Sequence, residues 1–252
     1  METYQFLQVE YKAGVAWIGM NRLEARNALN YGLLGELVAA LKEADASEEV
    51  RCILLYSALD GVFCAGADIN ERKGMTDAEV KKRRVFARDC YEQMEKLDKP
   101  FVVAIDGKNM GGGCEIMGTS DFIISSERAT YRYVEVPVGS VGATQRVTRF
   151  VGIQRAKELL FTSRTIDARE AWQIGLVARL LPAEDFMAKV AEIMEQMAGY
   201  PPVTIMATKK AIKIAWEAAP EHGVLVEQMA IDLNIAKSDW RASLQNYRGD
   251  KK

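Results

Sequence analysis

A chain of 252 residues, 49% apolar and 27% charged, is long enough to bury a sizeable core and has the balance of an ordinary globular enzyme. Its formal net charge is −2, with lysines and arginines scattered, which argues against the basic face that nucleic acid or an anionic membrane surface would need. No stretch reaches the roughly 20 apolar residues needed to span a bilayer.

The chain opens METYQFLQVEY, with early acidic residues and no apolar run of signal-peptide length, so a cytoplasmic protein is expected. Residues 15–21, VAWIGMN, predict a strand, and 27–46, NALNYGLLGELVAALKEADA, a helix with apolar residues at helical spacing. The apolar run RCILLYSA (51–58) predicts a buried strand, followed by a glycine-punctuated loop, GVFCAGADI (61–69). A charged amphipathic helix is expected over 76–97, stopped before Pro100. PFVVAIDG (100–107) and DFIISS (121–126) predict two more buried strands. Beyond residue 140 helical patterns dominate, punctuated by Pro182 and by Pro201 and Pro202. The expected architecture is an α/β core over residues 1–199 with a helical region over 200–252. The apolar face of that last region suits packing on a neighbouring subunit, and folding back on its own domain fits equally well.

The four cysteines, Cys52, Cys64, Cys90 and Cys114, form no CxxC pair, which predicts buried thiols in a reducing compartment. The single histidine, His222, removes HExxH, zinc-type Cys/His clusters and an evident Ser-His-Asp triad, and no metal is expected. It follows Pro220 at an expected helix start, where a surface role suits it. Neither GxGxxG nor GxxxxGK[ST] occurs. Acid–base chemistry is left to carboxylates assisted by backbone dipoles.

One stretch stands out, MGGGCEIMG (110–118), with three glycines directly before Glu115. Each glycine costs a regular element roughly 0.5–1 kcal/mol relative to alanine. Ligands in open α/β folds bind at the carboxyl ends of strands, and a glycine run opening a helix offers them unpaired N–H groups and a positive dipole end. Such a run suits an oxyanion hole. Tight strand–helix packing is the alternative, and it accounts for one glycine better than for three.

With these residues in view, the chain resembles the enoyl-CoA hydratase/isomerase (crotonase) superfamily over nearly its full length. The resemblance is carried by the order and spacing of NRLEARNALN (21–30), FCAGADI (63–69), AIDGKNMGGGCEI (104–116), SDFIISS (120–126), TQRVTR (144–149) and AWQIGLV (171–177). It implies a β-β-α spiral core, a C-terminal helical region used in trimerisation, and a homotrimer or homohexamer. It also implies an acyl-CoA thioester substrate, with coenzyme A part of the substrate and no separate cofactor. The oxyanion-hole N–H groups would be those of Ala67 and Gly112. The two catalytic glutamates would be Glu115 and Glu135, the latter 20 residues on in YVEVP. Without the resemblance, Glu135 reads more readily as a solvated residue of a strand-like run, YRYVEVPVG.

Hydration of an enoyl thioester needs a base for the water proton and an acid for Cα, and the sequence does not say which glutamate is which. Coenzyme A would be held at Glu24, Ala25 and Arg26 and by the backbone of Ala65, Gly66, Asp68 and Ile69. Arg22 and Arg26 are candidate phosphate partners, with plain surface arginines as the alternative. Asp68 reads equally as a helix cap. The chain departs from the family pattern at EVPVGSVGATQR (135–146), which is shorter and lacks Pro-Gly-x-Gly-Gly, and Val134 replaces the usual proline before the second glutamate. An isomerase working through a single glutamate is the second reading. An RNA-binding role, found in some members of the superfamily, does not suit the net charge.

Overall fold

The computed structural model describes residues 3–217 and 219–246. The chain enters as an edge strand, β1 (Leu7–Lys12), with alternating burial, paired antiparallel with β2 (Val15–Met20). A 3-10 turn at Leu23–Ala25 precedes α1 (Tyr31–Ala46). That helix starts later than its apolar periodicity predicts, because the Asn30 side chain caps it by accepting from the Leu33 N–H at 2.8 Å. Asn27 is instead fully buried, and its amide donates to the Phe63 carbonyl (3.0 Å) and the Ser57 hydroxyl (2.9 Å).

The next segments alternate between two sheets. β3 (Cys52–Ser57), β5 (Phe101–Ile105) and β7 (Phe122–Ser126) enter the larger sheet. Its strand order is β1-β2-β3-β5-β7-β10, closed by β10 (Arg179–Leu181). After each of β3, β5 and β7 the chain adds a three-residue strand to a smaller sheet: β4 (Val62–Cys64), β6 (Lys108–Met110) and β8 (Thr130–Arg132). β9 (Ile166–Asp167) completes its order, β4-β6-β8-β9. Each turn of the chain thus lays one strand in each sheet before a helix, which is the expected β-β-α spiral. The corner between β5 and β6 is so tight that a Cβ on Gly107 would stand 2.2 Å from the backbone carbon of Gly61, and its φ of +114° suits glycine alone.

The inner strands of the larger sheet, β2, β3, β5 and β7, are buried on both faces, which explains their continuous apolar runs. One face meets α1, where Leu33, Leu37 and Leu41 pack with Ile18, Ile53, Leu55 and Val103. The other face, through Val15, Leu54, Val102 and Ile124, lies under α7 (Phe186–Ala198), which contributes Phe186, Val190 and Met194.

The remaining helices are α2 (Ile69–Arg72), α3 (Asp77–Met94), α4 (Gly112–Met117), α5 (Thr144–Thr162), α6 (Ala168–Gln173), α8 (Pro202–Glu217), α9 (Pro220–Lys237) and α10 (Trp240–Asn246). α5 is broken at Gly152, whose φ of 75° and ψ of 168° are not helical. Two sequence expectations are corrected here. The loop expected over 61–69 contains β4 and the first residue of α2. The strand-like run around Glu135 ends at Arg132, and Glu135 lies in a turn.

Candidate active site

β4, β6 and β8 are adjacent parallel strands, and their carboxyl ends deliver three segments to one place. β4 runs into Ala65–Asp68, β6 into Gly111–Glu115, and β8 into Tyr133–Glu135. This is where ligands of α/β proteins are received.

The three glycines of the central segment serve three purposes. Gly111 has φ +48°, and a Cβ there would stand 2.9 Å from Val134 Cγ2. Gly113 is a packing glycine, since its Cβ would fall 2.1 Å from Asn109 Oδ1 and 2.6 Å from Cys64 Cβ. Gly112 opens α4, and its own Cβ position lies 3.4 Å from the Ala67 nitrogen. Among the described residues, neither the Ala67 nor the Gly112 N–H donates to a protein group. Two free donors therefore sit side by side at a helix start. Gly113 fits the packing explanation, and Gly112, whose N–H has no protein acceptor among the described residues, fits the open-donor one.

The two carboxyl groups converge under one residue of the following loop. A Cβ on Gly142 would stand 3.2 Å from Glu115 Oε1 and 3.1 Å from Glu135 Cγ. Glu115 is held at both oxygens: Oε1 accepts from the Ala143 N–H at 2.5 Å, and Oε2 accepts from Arg146 Nη1 at 3.0 Å. Glu135 is 9% exposed, and its Oε2 is buried with no hydrogen-bond partner. Burial, and then the charge of Glu115, push its carboxyl above the ordinary value, outweighing nearby backbone N–H groups and Arg84. The fold thus brings both glutamates to one place, in unlike surroundings.

The expected coenzyme A segments also lie together. Ala65 N donates to the Arg26 carbonyl (3.1 Å), Leu29 N to the Gly66 carbonyl (2.8 Å) and Asp68 N to the Leu29 carbonyl (3.0 Å). Glu24, Arg26 and Ile69 are exposed beside them, with Ala25 half-buried. Arg22 is committed inward: it donates to Asp68 and to the Ala28 carbonyl, both at 2.7 Å, and lies over the Phe6 ring. It therefore braces the two segments against each other. Asp68 also caps α2, accepting from the Asn70 and Glu71 N–H groups. Burial would raise its carboxyl, but the hydrogen bonds from Arg22 and those two N–H groups hold it below the ordinary value.

Cys114 lies beside the glutamates, but it is buried, and burial together with the charge of Glu135 pushes its thiol well above the ordinary value, which suits an inert thiol. His222 is exposed on α9. No group of three or more His, Cys, Asp or Glu among the described residues is arranged to hold a metal ion. Two groups at the site were not singled out by sequence reasoning. The Tyr91 hydroxyl lies 3.5 Å from the Gly112 Cβ position, and Arg146 touches Glu115. Tyr91 is one apolar position of an amphipathic helix, and Arg146 one scattered cation among many, so neither carried a local signal.

Comparison with known proteins bears on the chain as a whole. Residues 10–252 match the family model of enoyl-CoA hydratase/isomerase. The chain is 36% identical over 242 residues to a short-chain-enoyl-CoA hydratase of Clostridium acetobutylicum, covering 95% of this chain and 93% of that protein. It is 32% identical over 250 residues to an enoyl-CoA isomerase/hydratase of Mycosarcoma maydis, covering 95% and 91%. A crystal structure of an enoyl-CoA hydratase from Bacillus anthracis superposes with a TM-score of 0.92 at 34% identity, covering 96% of this chain and 95% of that one. A family match over residues 10–252, together with 36% identity across 95% of the chain, shows that the chain belongs to the enoyl-CoA hydratase/isomerase family.

Proposed function

We propose that this enzyme reversibly adds water across the double bond of a 2-enoyl-CoA thioester. The observation that carries the reading is the convergence of Glu115 and Glu135 at Gly142. The thioester oxygen accepts from the Ala67 and Gly112 N–H groups, which stabilise the charge it gains as an enolate. The raised carboxyl of Glu135 suits the acid that protonates Cα. Glu115, paired with Arg146, suits the carboxylate that takes a proton from water as the water oxygen bonds to Cβ. Electrons pass from the double bond to the thioester oxygen and return as Cα gains its proton. Glu115 ends with a proton and Glu135 without one, and the pair exchange it before the next turnover. Coenzyme A enters as part of the substrate, held at Glu24, Ala25, Arg26, Ala65, Gly66, Asp68 and Ile69, and the reading calls for no separate cofactor.

The test is direct. Mixing enzyme with a panel of 2-enoyl-CoA thioesters of varied length and branching should bleach the ultraviolet absorbance of the conjugated thioester. Absence of turnover across that panel, with the thioesters still bound, would defeat the hydratase reading. A double-bond shift without water addition would favour the isomerase.

The same reading includes assembly and compartment. Trp216 and Met229, each 70% exposed, and Val224, Leu225 and Ile212 leave α8 and α9 apolar on the outside, which supports a homotrimer or a pair of trimers formed through residues 200–252. Light scattering at micromolar concentration should return a multiple of the 28.1 kDa chain, and a mass equal to one chain would refute it. Four free, buried cysteines support a reducing, cytoplasmic setting. Among the described residues no helix is long and apolar enough to cross a membrane.

A further inference from the structure

We infer that Arg146, anchored by Glu95, is a positioning residue that holds the Glu115 carboxylate in its working orientation. Three helices meet at this contact. Glu95 follows the end of α3, Glu115 sits in the first turn of α4, and Arg146 in the first turn of α5. The guanidinium bridges the two carboxylates through different nitrogens: Nε to Glu95 Oε1 at 2.8 Å and Nη1 to Glu115 Oε2 at 3.0 Å. Its stem is seated against Gly118, where a Cβ would come within 2.9 Å of Arg146 Cβ, and its plane lies over the Tyr91 ring. Arg146 and Glu115 are 17% and 14% exposed.

A mostly buried ion pair of this kind is a poor way to gain stability, because desolvation consumes much of the attraction. It is a good way to fix direction, because a planar guanidinium sets the angle of each carboxylate it meets. Ala143 N–H and Arg146 together occupy one site on each oxygen of Glu115. A carboxylate offers about four such sites, so room for a water remains. Glu95 in turn keeps the guanidinium from swinging away.

This inference rests on the proposed reaction only in that turnover is its main readout. Arg146→Met should lower kcat about 10²-fold with KM little changed, since a misdirected catalytic group costs that much without weakening binding. Arg146→Lys should recover part of the loss, and Glu95→Gln should show a smaller loss in the same direction. Adding Glu95→Gln to Arg146→Met should cost nothing further, because the two act as one unit. A crystal structure of Arg146→Met should show the Glu115 carboxylate turned off the Ala143 N–H, a readout that needs no reaction. Failure of the wild-type enzyme to hydrate any enoyl-CoA would overturn the hydratase reading, and the crystal structure would still decide on Arg146. Wild-type kcat in Arg146→Met, or Glu115 unmoved in its structure, overturns the inference. If Arg146→Met does not fold, wild-type kcat in both Arg146→Lys and Glu95→Gln overturns it equally.

Discussion

Glu135→Gln is expected to lower turnover by at least about 10²-fold while leaving substrate binding nearly intact, because a well-placed general acid contributes roughly 10²–10⁴-fold. The amide keeps the size of the side chain, but its N–H protons are far too weakly acidic to be given to Cα. The variant should fold as well as the wild type. The buried Oε2 has no partner, so the native carboxyl resides there at some cost to stability whenever it is ionised. The sign of the pH effect follows from the raised value of Glu135. A carboxyl raised by folding contributes stability that is fully present below its unfolded value and is lost as pH rises through the folded value. Melting temperatures of wild type and Glu135→Gln should therefore diverge in favour of the variant as pH rises through that window. Turnover of the wild type should fall over the same window as the acid loses its proton. Glu115→Gln should be comparably slow in hydration. In an isomerase one of the two glutamine variants would remain nearly as active as the wild type, so measuring both separates the two reactions of the family. Near-full hydration by both variants would refute the two-carboxylate mechanism and turn attention to the shortened loop at 139–144.

Gly112→Pro should be the second large loss, and for a different reason. It deletes one backbone donor, and removing one donor of an oxyanion hole costs about 2.7–4 kcal/mol, or roughly 10²–10³-fold. Every reaction passing through a thioester enolate should suffer, hydration and isomerisation alike. Gly112 is the first residue of α4, a position where a helix tolerates proline. The ring must still pass Leu29, whose Cδ1 lies 2.9 Å from the Cβ position, so a circular-dichroism melt accompanies the assay. Gly112→Ala supplies the control: it meets the same leucine but keeps its N–H, and it should lose far less activity. Gly113→Ala should do the reverse, lowering the melting temperature by crowding Asn109 and Cys64 without touching a donor. Equal activity losses in Gly112→Pro and Gly112→Ala would show that bulk, rather than the missing donor, is responsible.

Several features of this protein were already determined by the order of its residues. The apolar runs at 51–58, 100–107 and 121–126 appear as β3, β5 and β7, because strands buried on both faces must be continuously apolar. The glycine run before Glu115 marked a helix start, whereas Glu135 was singled out by the family resemblance and not by its own surroundings in the sequence. Tertiary structure alone decided how these features meet. β4, β6 and β8 have three residues each, too few for an alternating pattern to register, yet their side-by-side pairing brings Ala67, Gly112 and Glu135 to one edge. The commitment of Arg22 to Asp68, separated by 46 positions, and of Arg146 to Glu115, by 31, likewise has no local signature. Nor has the difference in partners between Glu115, held by Ala143 and Arg146, and Glu135, whose buried Oε2 has none. Periodicity reports which face of an element is apolar. Which charges share that face, and how much water reaches them, depends on segments far apart in the chain, and so on the fold.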